Sequence, residues 1–291
     1  MTSSRLPETD AATLEPLAQS VAPRAKALIM TFWGDMLLPW GGRIWLGSLV
    51  RAMAPFGLDE QNVRASVNRL VQEGWLTSET VGRRRELSMP APRLEELRAV
   101  QSRMYRRTPL DWDDLWRVLV VQPASPARRE AMRRELRWQG YANLAPNTFI
   151  HPRQNWAVLS PRLAARGLEH EVVHAFEARS VLGTASPVHL WPLQTIAGGW
   201  ASLLELLERM PCTPQTDPAA AFSMRLMLAH VLRLTVLKDP ALPNGLLSAD
   251  WPEVPARAAL GRLYADLAGP ANRYLQEIVE RADGSPAGFV R

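Results

Sequence analysis

The length and composition of the chain place it among ordinary globular proteins. Its 291 residues suffice for two or three domains of about 100–150 residues each. Hydrophobic residues make up 47% and charged residues 22% of the chain, which argues against a disordered or membrane-embedded protein. No apolar run approaches the roughly 18 residues of a membrane span, and residues 1–23 lack the charged start and apolar stretch of a signal peptide. We therefore expect a cytoplasmic protein with no membrane contact.

Charge and cysteine content narrow the classes further. The formal net charge is +5, and the excess of basic residues lies in the first two thirds of the chain. Such an excess attracts the phosphate backbone of nucleic acids. The only cysteine, Cys212, cannot form an internal disulfide or a Cys-rich zinc site. Ser, Thr, Pro and Glu dominate the first residues, which predicts a disordered tail over 1–23.

Residues 24–89 carry the pattern of a winged helix-turn-helix domain. Apolar periodicity predicts helices over 25–37, 45–53 and 59–73, with a turn at Pro55-Phe56-Gly57 before the third. Residues 75–78 and 86–88 are predicted as two short strands around a turn. Three helices followed by a hairpin give the order of a winged helix, whose third helix enters the DNA major groove.

The third predicted helix is the candidate reader of DNA bases. Asp59 is a good N-cap, and Val63, Val67 and Leu70 form one apolar stripe. The opposite face and its flanks carry amides and arginines but no acid, and these residue types pair with purine edges. The candidate residues are Gln61, Asn62, Arg64, Ala65, Asn68 and Arg69. The alternative interpretation is the solvated face of a small helical domain.

A basic turn after this helix is the second candidate DNA contact. The predicted turn over 81–85 carries Arg83, Arg84 and Arg85 at its tip. No acidic partner is predicted for these cations, so we expect them to follow the DNA backbone or the adjacent minor groove.

The rest of the chain divides into three further segments. Apolar residues spaced three to four apart (Leu94, Leu97, Val100 and Met104) predict a linker helix over 90–110. Strands over 116–121, 148–151, 156–159 and 171–176, with helices over 127–139 and near Leu163, give a β-α-β-β-α-β order over 111–186. That order is typical of a ferredoxin-like domain. Residues 187–291 are predicted to be helical. The fold class is therefore α+β, with an N-terminal winged helix-turn-helix, a ferredoxin-like middle domain and an all-helical C-terminal domain.

Short blocks along nearly the whole chain resemble one known family. They are residues 32–35 (FWGD), 39–42 (PWGG), 44–49 (IWLGSL), 54–57 (APFG), 63–67 (VRASV), 73–76 (EGWL), 82–84 (GRR), 136–140 (LRWQG), 144–149 (LAPNTF), 237–240 (LKDP) and 250–251 (DW). In their joint order these blocks resemble the PaaX family of bacterial repressors, which control phenylacetate and related aromatic catabolism.

The resemblance implies a function and a set of partners. It implies a homodimer that represses transcription from palindromic double-stranded DNA operators. It also implies release by a small-molecule effector, phenylacetyl-coenzyme A or a related acyl-coenzyme A, and no cofactor. It identifies no residues of the effector site or of the dimer interface.

Two other functions stay open at this point. A metal-dependent nuclease or hydrolase on the middle domain is one, since Asp111, Asp113 and Asp114 precede its first strand and His170 and His174 are spaced like helical metal ligands. No nucleophile and base can be placed, so we expect no catalytic residues, no metal and no enzyme. A protein-interaction module with a winged helix that does not bind DNA is the other. The pairs Arg128-Arg129 and Arg133-Arg134 could meet coenzyme A phosphates or only solvent.

Overall fold

The computed structural model describes residues 24–106, 108, 110–180, 186–210 and 217–285. The predicted disordered tail over 1–23 and Cys212 lie outside these residues. The chain forms two compact units. The first combines the described parts of Met1–Tyr105, Ala201–Leu234 and Val254–Arg291, and the second combines those of Arg106–Trp200 and Thr235–Glu253. Helices and two small antiparallel sheets make up both units, so the chain is of the α+β class.

The N-terminal part of the first unit is three helices and a three-stranded sheet. Its elements are α1 (Ala25–Phe32), β1 (Arg43–Trp45), α2 (Leu46–Met53), α3 (Glu60–Gln72), β2 (Thr77–Val81) and β3 (Arg84–Ser88). The strands are antiparallel in the order β1-β3-β2. The predicted helix over 25–37 changes its hydrogen bonding after Phe32, where a π-helical turn (Trp33–Leu37) and a 3-10 turn (Leu38–Trp40) follow. Strand β1 was not predicted, because three residues are too few to show an alternating pattern.

The third helix forms where it was predicted. Gly57 at a φ of +71° ends the preceding 3-10 turn, in a conformation that glycine adopts without steric cost. The Asp59 side chain then accepts a 2.7 Å hydrogen bond from the backbone N–H of Asn62, which satisfies one of the unpaired donors at the helix start. Val63, Val67 and Leu70 are fully buried, so the predicted apolar stripe is the side of α3 that packs into the unit.

The β2–β3 hairpin, hereafter the hairpin, turns more tightly than predicted. Val81 pairs with Arg84, so Gly82 and Arg83 alone form the turn. Gly82 has a φ of +60°, which permits such a two-residue connection. The prediction that three arginines share the tip is therefore wrong, because Arg84 and Arg85 already belong to β3.

The first unit is completed by helices from later parts of the chain. These are α4 (Ala91–Met104), the end of α7 (Leu193–Arg209), most of α8 (Pro218–Lys238) and α9 (Glu253–Ile278). By length and composition alone α8 could cross a membrane, so the expectation that no stretch reaches that length is wrong. Of the most apolar 18 residues of α8, 67% are buried inside the structure, as is usual for a helix in the core of a globular protein.

A buried carboxylate, that of Asp35, lies where these helices meet α1 and the π-helical turn. Both carboxylate oxygens of Asp35 accept hydrogen bonds from tyrosine hydroxyls, one from Tyr105 and one from Tyr264. Burial raises the pKa of Asp35, although Arg225 and the two hydroxyls act in the opposite direction. The cluster joins the C-terminal end of α4 and the middle of α9 to the π-helical turn that follows α1.

A buried histidine on α8 is bound to α1. The Thr31 hydroxyl and Nδ1 of His230 share a 2.9 Å hydrogen bond, and the hydroxyl also lies 3.1 Å from the carbonyl oxygen of Ala27. Burial lowers the pKa of His230 to about 4, and the nearby charge of Arg233 acts in the same direction. The imidazole is therefore neutral at physiological pH.

The second unit is built on a four-stranded antiparallel sheet. Its elements are β4 (Trp116–Val121), α5 (Pro126–Trp138), β5 (Ala142–Ala145), β6 (Thr148–His151), α6 (Trp156–Ala164) and β7 (Val172–Ala178), with strand order β5-β6-β4-β7. Leu119 pairs with Phe149 across β4 and β6, and both lie in a core with Met132, Leu136 and Leu159. The strand predicted over 156–159 is wrong: Asn155 caps the backbone N–H of Val158, and the apolar run that follows is the start of α6.

Candidate nucleic-acid interface

The outer face of α3 carries the side chains that were predicted to read DNA. Gln61, Asn62, Ala65 and Arg69 are exposed. In the part of the chain that the structure describes, the side chains of Gln61, Asn62 and Arg69 make no hydrogen bond or ion pair. Amide and guanidinium groups in this state can meet base edges or phosphates without first breaking an internal contact.

Arg64 has an acidic partner on its own helix. Its Nε and Nη2 lie 2.7 and 2.6 Å from Oε1 of Glu60, one turn earlier. The sequence interpretation of an acid-free face therefore needs correction, because Glu60 reaches along the helix to this flank. Both side chains are more than half exposed, and exposed ion pairs are worth at most about 1 kcal/mol. Arg64 can exchange Glu60 for another anion at little cost.

Asn68 is bound to the hairpin. Arg85 on β3 donates 2.9 Å to the Asn68 side-chain oxygen and 2.5 Å to the hydroxyl of Ser78. The two candidate elements are thus joined by one guanidinium. Arg85, predicted as a backbone contact, uses two of its five donors to join the hairpin to the helix. Asn68 uses its side-chain oxygen in this bond and keeps its amino group for an outside acceptor.

Arg84 and Arg83 differ in their surroundings. The Arg84 guanidinium lies over the ring of Trp45 at 4.2 Å and 3.2 Å from Oε2 of Glu280. Arg83 lies in the turn and is exposed, with no side-chain bond among the described residues. Of the three arginines predicted at the tip, Arg83 is the one whose guanidinium is free.

A buried carboxylate lies within the sheet beneath these residues. Glu86 on β3 accepts a 2.7 Å hydrogen bond from Nε of Arg43 on β1 and a 3.2 Å bond from the backbone N–H of Ala282. Burial alone would raise its pKa, but the bonds from Arg43 and Ala282 hold the pKa of Glu86 below its ordinary value. Glu86 thus stays ionised and ties β1, β3 and the C-terminal end of the unit together.

The histidines and aspartates considered for a metal or nuclease site do not come together in one place. His170 lies in a 3-10 turn and His174 on β7, where it stacks on Phe176. Both carboxylate oxygens of Asp113 are taken by Arg117, at 2.7 and 2.5 Å, and this bonding lowers the pKa of Asp113 to about 2. Within the described ranges, no three His, Cys, Asp or Glu side chains come close enough to hold a metal ion.

The basic pairs on α5 have separate environments. Arg128 is bonded to the buried carboxylate of Glu171 and to the carbonyl of Gly167, so it braces the second unit. Arg129 and Arg134 are exposed. The structure therefore gives Arg128 an internal role and leaves Arg129 and Arg134 on a solvated face.

Sequence reasoning missed the C-terminal contribution to this surface. Trp45, Arg51 and Glu280 surround Arg84, yet Glu280 is 196 residues away in the chain. No local pattern indicates such a contact.

Comparison with known proteins identifies the family. Residues 24–89 match the family described as PaaX-like protein, residues 109–189 the PaaX protein central Cas2-like domain, and residues 191–277 the PaaX-like protein C-terminal domain. The transcriptional repressor PaaX of Escherichia coli (strain K12) is 30% identical over 284 residues, which cover 93% of this chain and 89% of that protein. The solved structure of the uncharacterized protein Rv0674 from Mycobacterium tuberculosis shares the fold, with a TM-score of 0.51 and 23% identity, over 78% of this chain and 89% of that one. The chain belongs to the PaaX family.

Proposed function

We propose that the protein is a DNA-binding transcriptional repressor that reads its operator with α3. The observation that carries the proposal is the outer face of α3, on which the side chains of Gln61, Asn62 and Arg69 are exposed and make no bond to another described residue. Arg83 in the turn of the hairpin is exposed as well. Family membership supports it, since the Escherichia coli relative is named a transcriptional repressor.

Within this proposal, residues 24–89 act as a winged helix-turn-helix domain. The support is the order of three helices and a hairpin, with the hairpin held to α3 by the bond between Arg85 and Asn68. Residues 90–110 act as a linker helix. Residues 111–186 act as a ferredoxin-like domain, and this assignment is supported by the strand order β5-β6-β4-β7 and by the β-α-β-β-α-β order of elements along the chain. Residues 187–291 act as the helical C-terminal domain.

The test begins with an unbiased search for the operator. Repeated selection of the purified protein on a randomised duplex library should enrich one sequence, and its symmetry shows whether a dimer binds. The selected duplex should be bound about 10³-fold or more tightly than a scrambled duplex of the same length. Failure to enrich any sequence, with the protein shown to be folded, would reject the proposal.

We further propose that the repressor is a cytoplasmic homodimer without enzymatic activity, which controls aromatic catabolic genes. An aromatic acyl-coenzyme A such as phenylacetyl-coenzyme A is the proposed effector, on the strength of the family resemblance alone. Release requires that the effector bind the DNA-incompetent state more tightly, and a tenfold loss of operator affinity needs about 1.4 kcal/mol of differential binding. Titration of phenylacetyl-coenzyme A into the operator complex tests this. No change at millimolar concentration would reject this effector and leave the repressor function standing.

A further inference from the structure

The residues that follow α9 lie along the β1 edge of the three-stranded sheet in the first unit. After Ile278, the carbonyl of Glu280 accepts a 2.8 Å hydrogen bond from the backbone N–H of Trp45, and its own N–H donates 3.1 Å to the hydroxyl of Ser48. Two residues on, the N–H of Ala282 reaches Glu86. The segment 278–282, hereafter the clasp, is thus bonded through its main chain to the backbone of β1 and to the side chains of Ser48 and Glu86.

The clasp places one carboxylate between two arginines. Oε1 of Glu280 lies 3.2 Å from Nη2 of Arg51 on α2, and Oε2 lies 3.2 Å from Nη1 of Arg84 on β3. Both guanidinium groups lie over the ring of Trp45, at 5.4 and 4.2 Å. Guanidinium groups are well suited to bind phosphate oxygens, so two of them around one carboxylate can hold a phosphate in its place.

We propose that Glu280 competes with DNA phosphate for Arg51 and Arg84 and thereby lowers the affinity of the protein for DNA of any sequence. The inference rests on the proposed DNA-binding function. The side chains of Arg51, Glu280 and Arg84 are 42%, 34% and 39% exposed, so an approaching phosphate can reach both cations. Nη2 of Arg51 also donates 2.9 Å to the carbonyl of Ile278 and 3.0 Å to the hydroxyl of Ser48, so Arg84 is the cation that depends more on Glu280. Phosphate contacts carry no sequence information, so this competition weakens binding to bulk DNA and leaves base reading by α3 untouched.

The charge balance of the cluster gives the direction of the effect. Two cations and one anion leave a net charge of +1, and removal of the carboxylate charge raises it to +2. Each additional phosphate contact steepens the dependence of log affinity on log salt by about 0.9. The clasp directly follows α9, so a displacement of the end of that helix would move Glu280 away from both arginines and relieve the competition.

The test is the variant Glu280→Gln, measured on a fluorescent random-sequence 30-base-pair duplex at several salt concentrations. The matched control is Glu277→Gln, because Glu277 is exposed three residues earlier on α9 and forms no ion pair with Arg51 or Arg84. We expect Glu280→Gln to bind the duplex three- to tenfold more tightly than wild type at low salt, with a slope steeper by about one unit. In the Arg51→Ala, Arg84→Ala background the same substitution should change little.

The outcomes separate this inference from the proposed function. If wild type binds the duplex and Glu280→Gln behaves like Glu277→Gln, the competition is refuted while DNA binding stands. If no variant binds duplex DNA at low salt, both fail together. The clasp is held by main-chain bonds, so Glu280→Ala should fold and shift affinity in the same direction. Weaker binding by both Glu280 variants, with unchanged circular dichroism and thermal unfolding, would overturn the inference.

Discussion

Arg85 on β3 donates a 2.9 Å hydrogen bond to the side-chain oxygen of Asn68 on α3. This bond joins the hairpin to the helix proposed to read bases. The two asparagines of the outer face therefore have different roles. Asn62 presents an unbonded amide from the first turn of α3, whereas Asn68 positions the hairpin through Arg85.

Replacement of the two asparagines should separate these roles. Asn62→Ala should cost about 1–3 kcal/mol of operator affinity and relax the preference at particular base pairs, because a direct base contact is lost. Asn68→Ala should weaken operator binding and should be non-additive with Arg85→Ala, since each removes the same bond. Binding isotherms on the selected duplex and on single-base variants measure both. If Asn62→Ala retains full affinity and selectivity, α3 is not the base-reading helix.

Arg83 and Arg84 should differ in the salt dependence of binding. Arg83→Ala removes the free guanidinium at the turn, so operator and scrambled duplexes should be weakened alike and the salt slope reduced by about one unit. Arg84→Ala should have a smaller effect in wild type, because Glu280 already occupies that guanidinium. Arg98→Ala, which removes an exposed cation from α4, is the control. Equal effects of the Arg83 and Arg98 substitutions would argue against backbone contact by the hairpin tip.

Acid should destabilise the protein through His230. Its folded pKa of about 4 lies below the ordinary 6.5, so the unfolded chain binds the proton more readily. Stability is then complete above pH 6.5 and declines as the pH falls toward 4, by roughly 2 kcal/mol between pH 7 and pH 5. In urea unfolding, His230→Gln should lose this part of the pH dependence and His174→Gln should keep it. If the free energy of unfolding of His230→Gln depends on pH as in wild type, protonation of His230 does not destabilise the folded protein and the prediction fails.

Metal-dependent cutting of nucleic acid should be absent. Both Asp113 oxygens are bonded to Arg117, so a metal would have to displace a guanidinium. Incubation of purified protein with single- and double-stranded DNA and RNA plus Mg²⁺ or Mn²⁺ should leave them intact. Cutting that disappears in the Asp113→Asn, Asp114→Asn double variant would contradict this and revive the nuclease alternative.

Local patterns predicted the local structure, and their failures have physical causes. The bounds of α3 are right to within a residue because its signals are local: the Asp59 cap, the buried stripe, and Gly74, which follows the helix with a φ of +69°. The short apolar run at 156–159 fits either a strand or a helix, and the cap at Asn155 decided for a helix. The start of β3 was misplaced because Gly82 and Arg83 form a two-residue turn, so that the strand already begins at Arg84. The positions of Glu280 and Tyr264 depend on contacts 196 and 229 residues apart, which no periodicity encodes.

The first unit is discontinuous along the chain, and this bears on how such regulators diverge. Residues 24–89 cannot be replaced on their own by the same segment of another protein without loss of internal bonds. Asp35 would lose its hydrogen bonds from Tyr105 and Tyr264, and Glu86 would lose its hydrogen bond from Ala282. A chimera built at those boundaries leaves a buried carboxylate without its donors, a defect that costs about 1–3 kcal/mol or more. Relatives should therefore acquire new operators by substitutions on the outer face of α3, while recombination at the domain border is selected against.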